Sequence, residues 1–408
     1  MESEFFRIKR LPSYVFAEVN AMKEHARSVG EDVIDLGMGN PDQPTPQHIV
    51  DKLVEVARNP RTHRYSMSRG ISSLRNALVD YYKRRFNVDL DPEKECIVTL
   101  GSKEGFANLA SSITSPGDIF LIPNPSYPIH QYSFILAGGS IQYVPILPND
   151  DFLITLKRIV KYSISKPIAL VINYPSNPTA LIATLDFYEQ VVDFCCFHGI
   201  YILSDLAYAE IYFDIDPPPS ILQIKNARNI SIEFTSMSKT YNMPGWRIGF
   251  AAGNSTLIKA LARIKSYLDY GAFTPIQVAA SIALTESQNC VEEIRNLYKN
   301  RRDILIDGLA VAGWKIPKPS ATMFAWAPIP SSFSHLGSLE FSKLLLSEAK
   351  VVVTPGIGFG EHGDGHVRIS LVENQHRIRQ AIRNIKHFLN SYDIILKNVE
   401  NRNCKNRD

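Results

Sequence analysis

The sequence predicts an α/β fold: a mostly parallel sheet sandwiched by helices, with a smaller α+β domain formed by the N- and C-terminal parts. Three observations predict it. From about residue 95, short apolar runs ending in turn residues alternate with helical patterns, which is how βαβ units read. Several of these runs are apolar throughout rather than alternating, as strands covered on both faces are. After about Asn289 the pattern changes to a long helix, a short strand set and a terminal helix from about Glu373.

The strand candidates are Cys96-Ile97-Val98-Thr99-Leu100, Ile119 to Ile122, Ile141 to Pro145, Ile168 to Ile172, Tyr201 to Leu203, Ile230 to Phe234 and Ile248 to Ala252. Ser13 to Ala26 reads as a helix with Val15, Phe16, Val19 and Met22 on one face. Thr45 and Pro46 read as the cap and first turn of another, with Ile49, Val50, Leu53, Val54 and Ala57 as its buried stripe. The expected organisation is an arm and part of the small domain over 1–44, a large domain over 45–288, a small C-terminal domain over 289–395 and a polar, disordered tail over 396–408.

A chain of 408 residues can bury a core large enough for a cofactor. Its 44 Lys and Arg against 41 Asp and Glu leave a net charge of +3, which supplies no electrostatic reason for a nucleic-acid or membrane-surface partner. The five cysteines (Cys96, Cys195, Cys196, Cys290 and Cys404) form no C-x-x-C, so no metal site is expected. They read as reduced thiols. The start Met1-Glu2-Ser3-Glu4 is followed by no long apolar run, and no apolar stretch reaches membrane-spanning length. The cytoplasm is the expected location.

Ligands of open parallel sheets bind outside the carboxyl ends of the strands. Four loops there carry polar residues: Gly101-Ser102-Lys103-Glu104-Gly105, Asn173-Tyr174-Pro175-Ser176-Asn177-Pro178, Ser204-Asp205-Leu206-Ala207-Tyr208 and Thr235-Ser236-Met237-Ser238-Lys239. The first opens a helix, whose unpaired amides suit a phosphate or serve only as a capped terminus. Asp205 reads equally as a strand-end carboxylate or a cap, and Asn177 as a turn residue. Lys239 by itself reads as a surface lysine. With Ser236, Ser238 and Arg247 nearby it could hold an anion or belong to a solvated basic loop.

Taken together these pieces resemble the pyridoxal-phosphate-dependent aminotransferases of class I/II, fold type I, from about residue 10 to about residue 390. The stretch Ser236-Met237-Ser238-Lys239-Thr240-Tyr241-Asn242-Met243-Pro244-Gly245-Trp246-Arg247-Ile248-Gly249 is similar to that family's lysine signature. The Asn-Pro and Asp-x-x-Tyr elements stand in the matching order. The resemblance implies that Lys239 carries the cofactor as a Schiff base and moves the proton, that Asp205 faces the pyridine nitrogen, and that Asn177 and Tyr208 bond the phenolic oxygen. It implies that Tyr127 stacks on the ring, and that Ser102, the Lys103 amide, Ser236 and Arg247 hold the phosphate. In the same way Tyr65 would reach the phosphate in the partner of a homodimer. Arg368 would clamp the substrate carboxylate beside Gly39 and Asn177.

The physical logic is general. A carboxylate favours a protonated ring nitrogen, a phenol and an amide favour an ionised phenolic oxygen, and arginine's planar fork matches a carboxylate. One departure is Ala180, where many relatives have glycine after Asn-Pro-Thr.

Within the family the chain is most similar to bacterial glutamate–pyruvate (alanine) transaminases. The shared stretches include Arg10-Leu11-Pro12-Ser13-Tyr14-Val15-Phe16, Tyr65-Ser66-Met67-Ser68-Arg69-Gly70, Ala262-Arg263-Ile264-Lys265-Ser266-Tyr267 and Pro355-Gly356-Ile357-Gly358-Phe359-Gly360. The expected reaction moves an amino group between glutamate or alanine and pyruvate or 2-oxoglutarate. Aspartate and LL-diaminopimelate aminotransferases share the same core residues. A carbon–sulfur β-lyase would use the same lysine, and a non-catalytic cofactor-binding regulator would carry an added DNA-binding domain.

Overall fold

The computed structural model describes residues 5–11, 16–147 and 151–405. It divides into two compact units. The first takes 41–296, the described part of the first twelve residues, and 320–322; the second takes the described residues of 13–40, 297–319 and 323–408. The helix Asn289–Val311 begins in the first and ends in the second.

Among the described residues of the first unit, seven strands form one sheet. In chain order they are β1 (Cys96–Thr99), β2 (Ile119–Asn124), β3 (Ser140–Pro145), β4 (Ala169–Asn173), β5 (Tyr201–Asp205), β6 (Ser231–Ser236) and β7 (Gly249–Gly253). Their spatial order is β1-β7-β6-β5-β4-β2-β3. The run from β6 to β3 is parallel throughout, and β7 lies antiparallel to both β6 and β1. The sheet is therefore mostly parallel, and every strand lies within a few residues of its expected bounds.

Two apolar layers explain the continuous hydrophobic runs. Leu170 and Ile172 of β4 belong to one core cluster, with Leu78, Tyr188 and Ile202, while Ala169 and Val171 belong to a second, with Phe106, Phe134 and Leu203. Alternate residues of one strand face opposite ways, so a strand with helices on both sides must be apolar at every position.

Several boundaries differ from expectation. Residues 5–11 group with the sheet unit. Their anchor is Arg10, whose Nη1 and Nη2 donate to the carbonyls of Ile135 (3.2 Å) and Gly139 (2.8 Å) at the end of helix Ile129–Ala137. Residues 320–322 return to the sheet unit because they pair with 211–213: Phe213 N donates to Ser320 O (2.7 Å), and Thr322 N to Ile211 O (2.8 Å). The terminal helix Gln375–Lys405 runs well into the stretch expected to be a disordered tail. No proline or glycine interrupts it there. Ser13, Tyr14 and Val15, the start of the helix expected over Ser13 to Ala26, lie outside the described residues.

The second unit pairs Ile34–Asp35 in parallel with Val351–Val352. Phe324–Pro328, His366–Ser370 and Thr354–Pro355 form an antiparallel sheet with His366–Ser370 in the middle. Val19, Ala26, Val33, Leu346 and Val352 pack as a core there. No helix among the described residues is long and apolar enough to cross a membrane.

A buried carboxylate ties the sheet to its covering layer. Glu233 of β6 is fully buried and accepts from Tyr82 Oη (3.0 Å), Ser204 Oγ (3.1 Å), Ser220 Oγ (2.5 Å) and the Ile221 amide (3.3 Å). The Tyr188 ring lies in the same layer. Burial pushes Glu233 up to about 7 against those four donors. The folded chain thus keeps a proton that the unfolded chain has already released. Stability is fully present below the ordinary carboxylate value and is lost as pH rises through about 7. Urea unfolding followed from pH 5 to 8 is expected to show a decline on the order of 2–4 kcal/mol. Glu233→Gln should flatten it; parallel curves for the two proteins would refute this account.

Candidate active site

The register of β7 organises the site. Its first residue, Gly249, pairs with Thr99 of β1 on one side and Ser236 of β6 on the other. Because β7 runs against its neighbours, the turn before it arrives at their carboxyl ends. That turn, Pro244–Trp246, delivers Arg247 in a left-handed conformation (φ 57°). Arg247 Nη2 donates to Leu100 O (3.2 Å) and Nη1 to Pro244 O (2.9 Å).

Helix Ser102–Ile113 starts at the same edge. Its cap, Gly101, has φ 85°, a conformation that disfavours any Cβ, and an added Cβ would collide with the Arg247 guanidinium. No side chain caps the helix, so the amides of Ser102, Lys103 and Glu104 have no acceptor within it. A Cβ on Gly249 would lie 2.5 Å from the Ser102 amide nitrogen and 2.7 Å from the Gly101 carbonyl carbon. The close approach of strand and cradle therefore requires glycine.

Lys239 sits half-buried on the single helical turn Met237–Thr240. Ser236 precedes that turn, and its Oγ accepts from Ser238 N (3.2 Å). Asp205 ends β5 opposite Asn173 of β4 and Phe234 of β6. Its side chain is largely buried, with Oδ2 2.9 Å from His130 Nε2 and Oδ1 accepting from Ala207 N (3.2 Å). Asn173 joins two loops: its Nδ2 donates to Asp205 O (2.8 Å) and its Oδ1 accepts from Asn177 N (2.8 Å). Asn177 and Tyr208 are buried, and Tyr127 is half-buried with its ring edge-on to His130 at 5.8 Å.

Tyr65 belongs to the same unit but stands 86% exposed, against the Tyr270 ring at 4.7 Å. Gly39 and Arg368 belong to the second unit. There Arg368 lies over the rings of Phe324 (4.1 Å) and Phe359 (4.9 Å), and its Nη2 donates to Gly37 O (3.0 Å) and Thr354 Oγ1 (3.4 Å). A Cβ on Gly39 would come within 2.6 Å of the Phe324 ring.

His130 escapes the sequence reading, and Asn173 and Gly249, though they stand in the stretches singled out there, are assigned no part by it. His130 lies in Ile129-His130-Gln131-Tyr132-Ser133-Phe134-Ile135-Leu136-Ala137, where it is one of several polar residues on a mostly apolar helix and nothing local sets it apart from Gln131 or Ser133. Its place three residues after Tyr127 was the available signal.

An uncapped helix start beside a guanidinium suits a phosphate monoester. A buried carboxylate backed by an imidazole suits a basic ring nitrogen, and a half-buried lysine lies on the neighbouring strand end. Comparison with known proteins agrees with that chemistry. The pattern of the family Aminotransferase class I and II matches residues 31–385. The chain belongs to the class I and II aminotransferases. The family uses pyridoxal phosphate. The chain is 60% identical to a provisionally named aminotransferase, AatC, of Rhizobium meliloti (strain 1021), over 98% of this chain and 99% of that one. It is 53% identical to the glutamate-pyruvate aminotransferase AlaC of Escherichia coli (strain K12), over 94% and 93% respectively. Its fold is similar to that of a double mutant of Thermus thermophilus aspartate aminotransferase, with TM-score 0.88, 28% identity and coverage of 95% and 100%.

The Asn177 loop carries the departure noted above. Ala180 is buried and has φ 58°. Its amide donates to Ser176 O (2.9 Å) and Ser176 N to Leu181 O (2.9 Å), which fixes the turn. An alanine there holds roughly 1 kcal/mol of strain. Ala180→Gly is expected to stabilise the chain by about 0.5–1 kcal/mol in urea unfolding; a loss of stability would show the loop to be unstrained.

Proposed function

We propose that the chain binds pyridoxal phosphate on Lys239 and transfers amino groups between glutamate or alanine and pyruvate or 2-oxoglutarate. The observation that carries the reading is the register at Gly249, which sets the helix start, Arg247 and the strand leading to Lys239 side by side. Bound pyridoxal phosphate supplies the electron sink that makes loss of the substrate's α-proton accessible.

In this reading Ser102, the Lys103 amide, Ser236 and Arg247 hold the phosphate. Asp205, oriented by His130, holds a proton on the ring nitrogen, because its charge stabilises the pyridinium. Asn177 and Tyr208 donate to the phenolic oxygen, and Tyr127 covers the ring. Lys239 would serve as the base that takes the proton from the substrate's Cα and gives it back in the transfer. Arg368 receives the α-carboxylate, and glycine at position 39 lets the Phe324 ring beneath Arg368 pack against the backbone there. The glutamate and alanine assignment draws on the likeness to AlaC.

We further propose a homodimer in which Tyr65 reaches the partner's phosphate. Support comes from an exposed apolar group around it: Met67, Tyr267, Leu268, Tyr270 and Phe273 are each 45–75% exposed. A cytoplasmic location fits the free thiols of Cys96, Cys195, Cys196 and Cys290.

Three measurements test the proposal. Amino donors assayed against pyruvate, 2-oxoglutarate and oxaloacetate should place glutamate with pyruvate among the best pairs. Dominance of aspartate or LL-diaminopimelate, or release of sulfide, would overturn the assignment. Borohydride should fix the cofactor on Lys239, as read by peptide mass, and Lys239→Ala should abolish turnover. Arg368→Lys keeps the charge but loses the fork, and should lower kcat/KM roughly 10–100-fold through KM for both amino and oxo acids.

A further inference from the structure

Glu104 occupies the third position of the cradle helix, within the turn that the proposed function assigns to a phosphate dianion. A carboxylate there interacts favourably with the helix terminus and so competes with any second anion. Its bonding restrains it. Oε2 accepts from the Leu100 amide (2.9 Å), and Oε1 accepts from Asn108 Nδ2 (2.5 Å) and Lys265 Nζ (3.1 Å).

Lys265 comes from helix Ser255–Leu268, and its side chain is completely buried. Its second partner is Asp269 Oδ2 at 2.8 Å; the Glu104 and Asp269 side chains are only 25% and 16% exposed. Burying an ammonium is costly unless carboxylates surround it, and packing alone would be served as well by an apolar side chain.

We propose that Lys265 is a positioning residue for phosphate binding: it neutralises Glu104, so that the first turn of helix Ser102–Ile113 can accept an organic phosphate. Without Lys265, two carboxylates remain beside the cradle with no cation between them, and like charges in a partly buried setting repel strongly. Glu104 would then turn to the helix amides that the phosphate needs. With Lys265, Glu104 stays on the Leu100 amide and braces the loop instead. The inference rests on the cofactor reading above.

The test uses the full chain freed of cofactor. Dissociation constants are measured for pyridoxal phosphate and for pyridoxal, which lacks the phosphate. Lys265→Met should weaken pyridoxal phosphate by about tenfold or more while changing pyridoxal little. Adding Glu104→Gln to that variant should bring pyridoxal phosphate back to within about threefold of the wild type, since the carboxylate within the helix's first turn is gone. Equal weakening of both compounds, or no recovery in the double variant, overturns the inference in favour of a purely structural lysine. Should Lys265→Met not fold, Glu104→Gln alone decides: it should tighten pyridoxal phosphate relative to pyridoxal, and no change or a weakening refutes the role. A wild-type chain that holds pyridoxal phosphate no better than pyridoxal sinks the cofactor reading itself. Wild-type discrimination retained in Lys265→Met sinks only this inference.

Discussion

Strand β7 runs against both of its neighbours, and its first residue, Gly249, lies opposite Thr99 and Ser236 at once. An antiparallel strand inserted into a parallel sheet brings its entry turn to the edge where the other strands leave. Arg247 therefore reaches the start of helix Ser102–Ile113 without a long loop. The approach is so close that the cradle amide at Ser102 lies where a Gly249 side chain would begin. Any larger residue would displace the free backbone donors that an anion held there would use. The site rests on one missing methyl group and on the direction of one strand.

The strand bearing Asp205 is braced from both faces. Ser204 points to the layer of Tyr82 and Tyr188 and bonds Glu233, while Asp205, one residue on, points to the opposite layer and meets His130. Asn173 on β4 then fastens the Asp205 carbonyl and the Asn177 amide together. Buried polar groups this close to a site hold its side chains by bonds that leave them little rotational freedom. Both sides of β5 contribute, so Asp205 is held from the strand and its neighbours as well as by the Ala207 amide of the loop that follows it.

Much of this was legible in the sequence, and the rest was hidden for identifiable reasons. The strands are apolar at every position because both faces are covered, so their existence and approximate bounds could be read directly. Direction could not, since an apolar run looks the same either way round; β7 as an antiparallel strand is invisible locally. The Asp205 and Lys239 loops could be placed because ligands gather at strand ends. His130 could not, because its partner lies 75 residues further on. Lys265 reads as an ordinary surface residue four positions before Asp269, and its burial arises from Glu104, far away in the chain. Residues 320–322 rejoin the sheet unit through a three-residue pairing with 211–213 that has no periodic signal.

The far end of the Lys265 arrangement bears on assembly. Asp269 accepts the Gly271 amide on its carboxylate (2.6 Å) and the Ser68 hydroxyl on its carbonyl (3.0 Å). Gly271, with φ 80°, lies so close to the Met67 carbonyl that no side chain would fit between them. The segments carrying Tyr65 and Tyr270 are thus held as one piece, and their rings pack together while remaining exposed. On the homodimer reading, Tyr65 serves the partner's phosphate, while the cradle beside Glu104 serves this chain's own. Both contacts then lean on the same buried lysine. A shift of Lys265 would reach the cradle through Glu104 and the exposed aromatic pair through Asp269. On that reading, phosphate binding and subunit association would share one support through bonded contacts rather than through proximity alone.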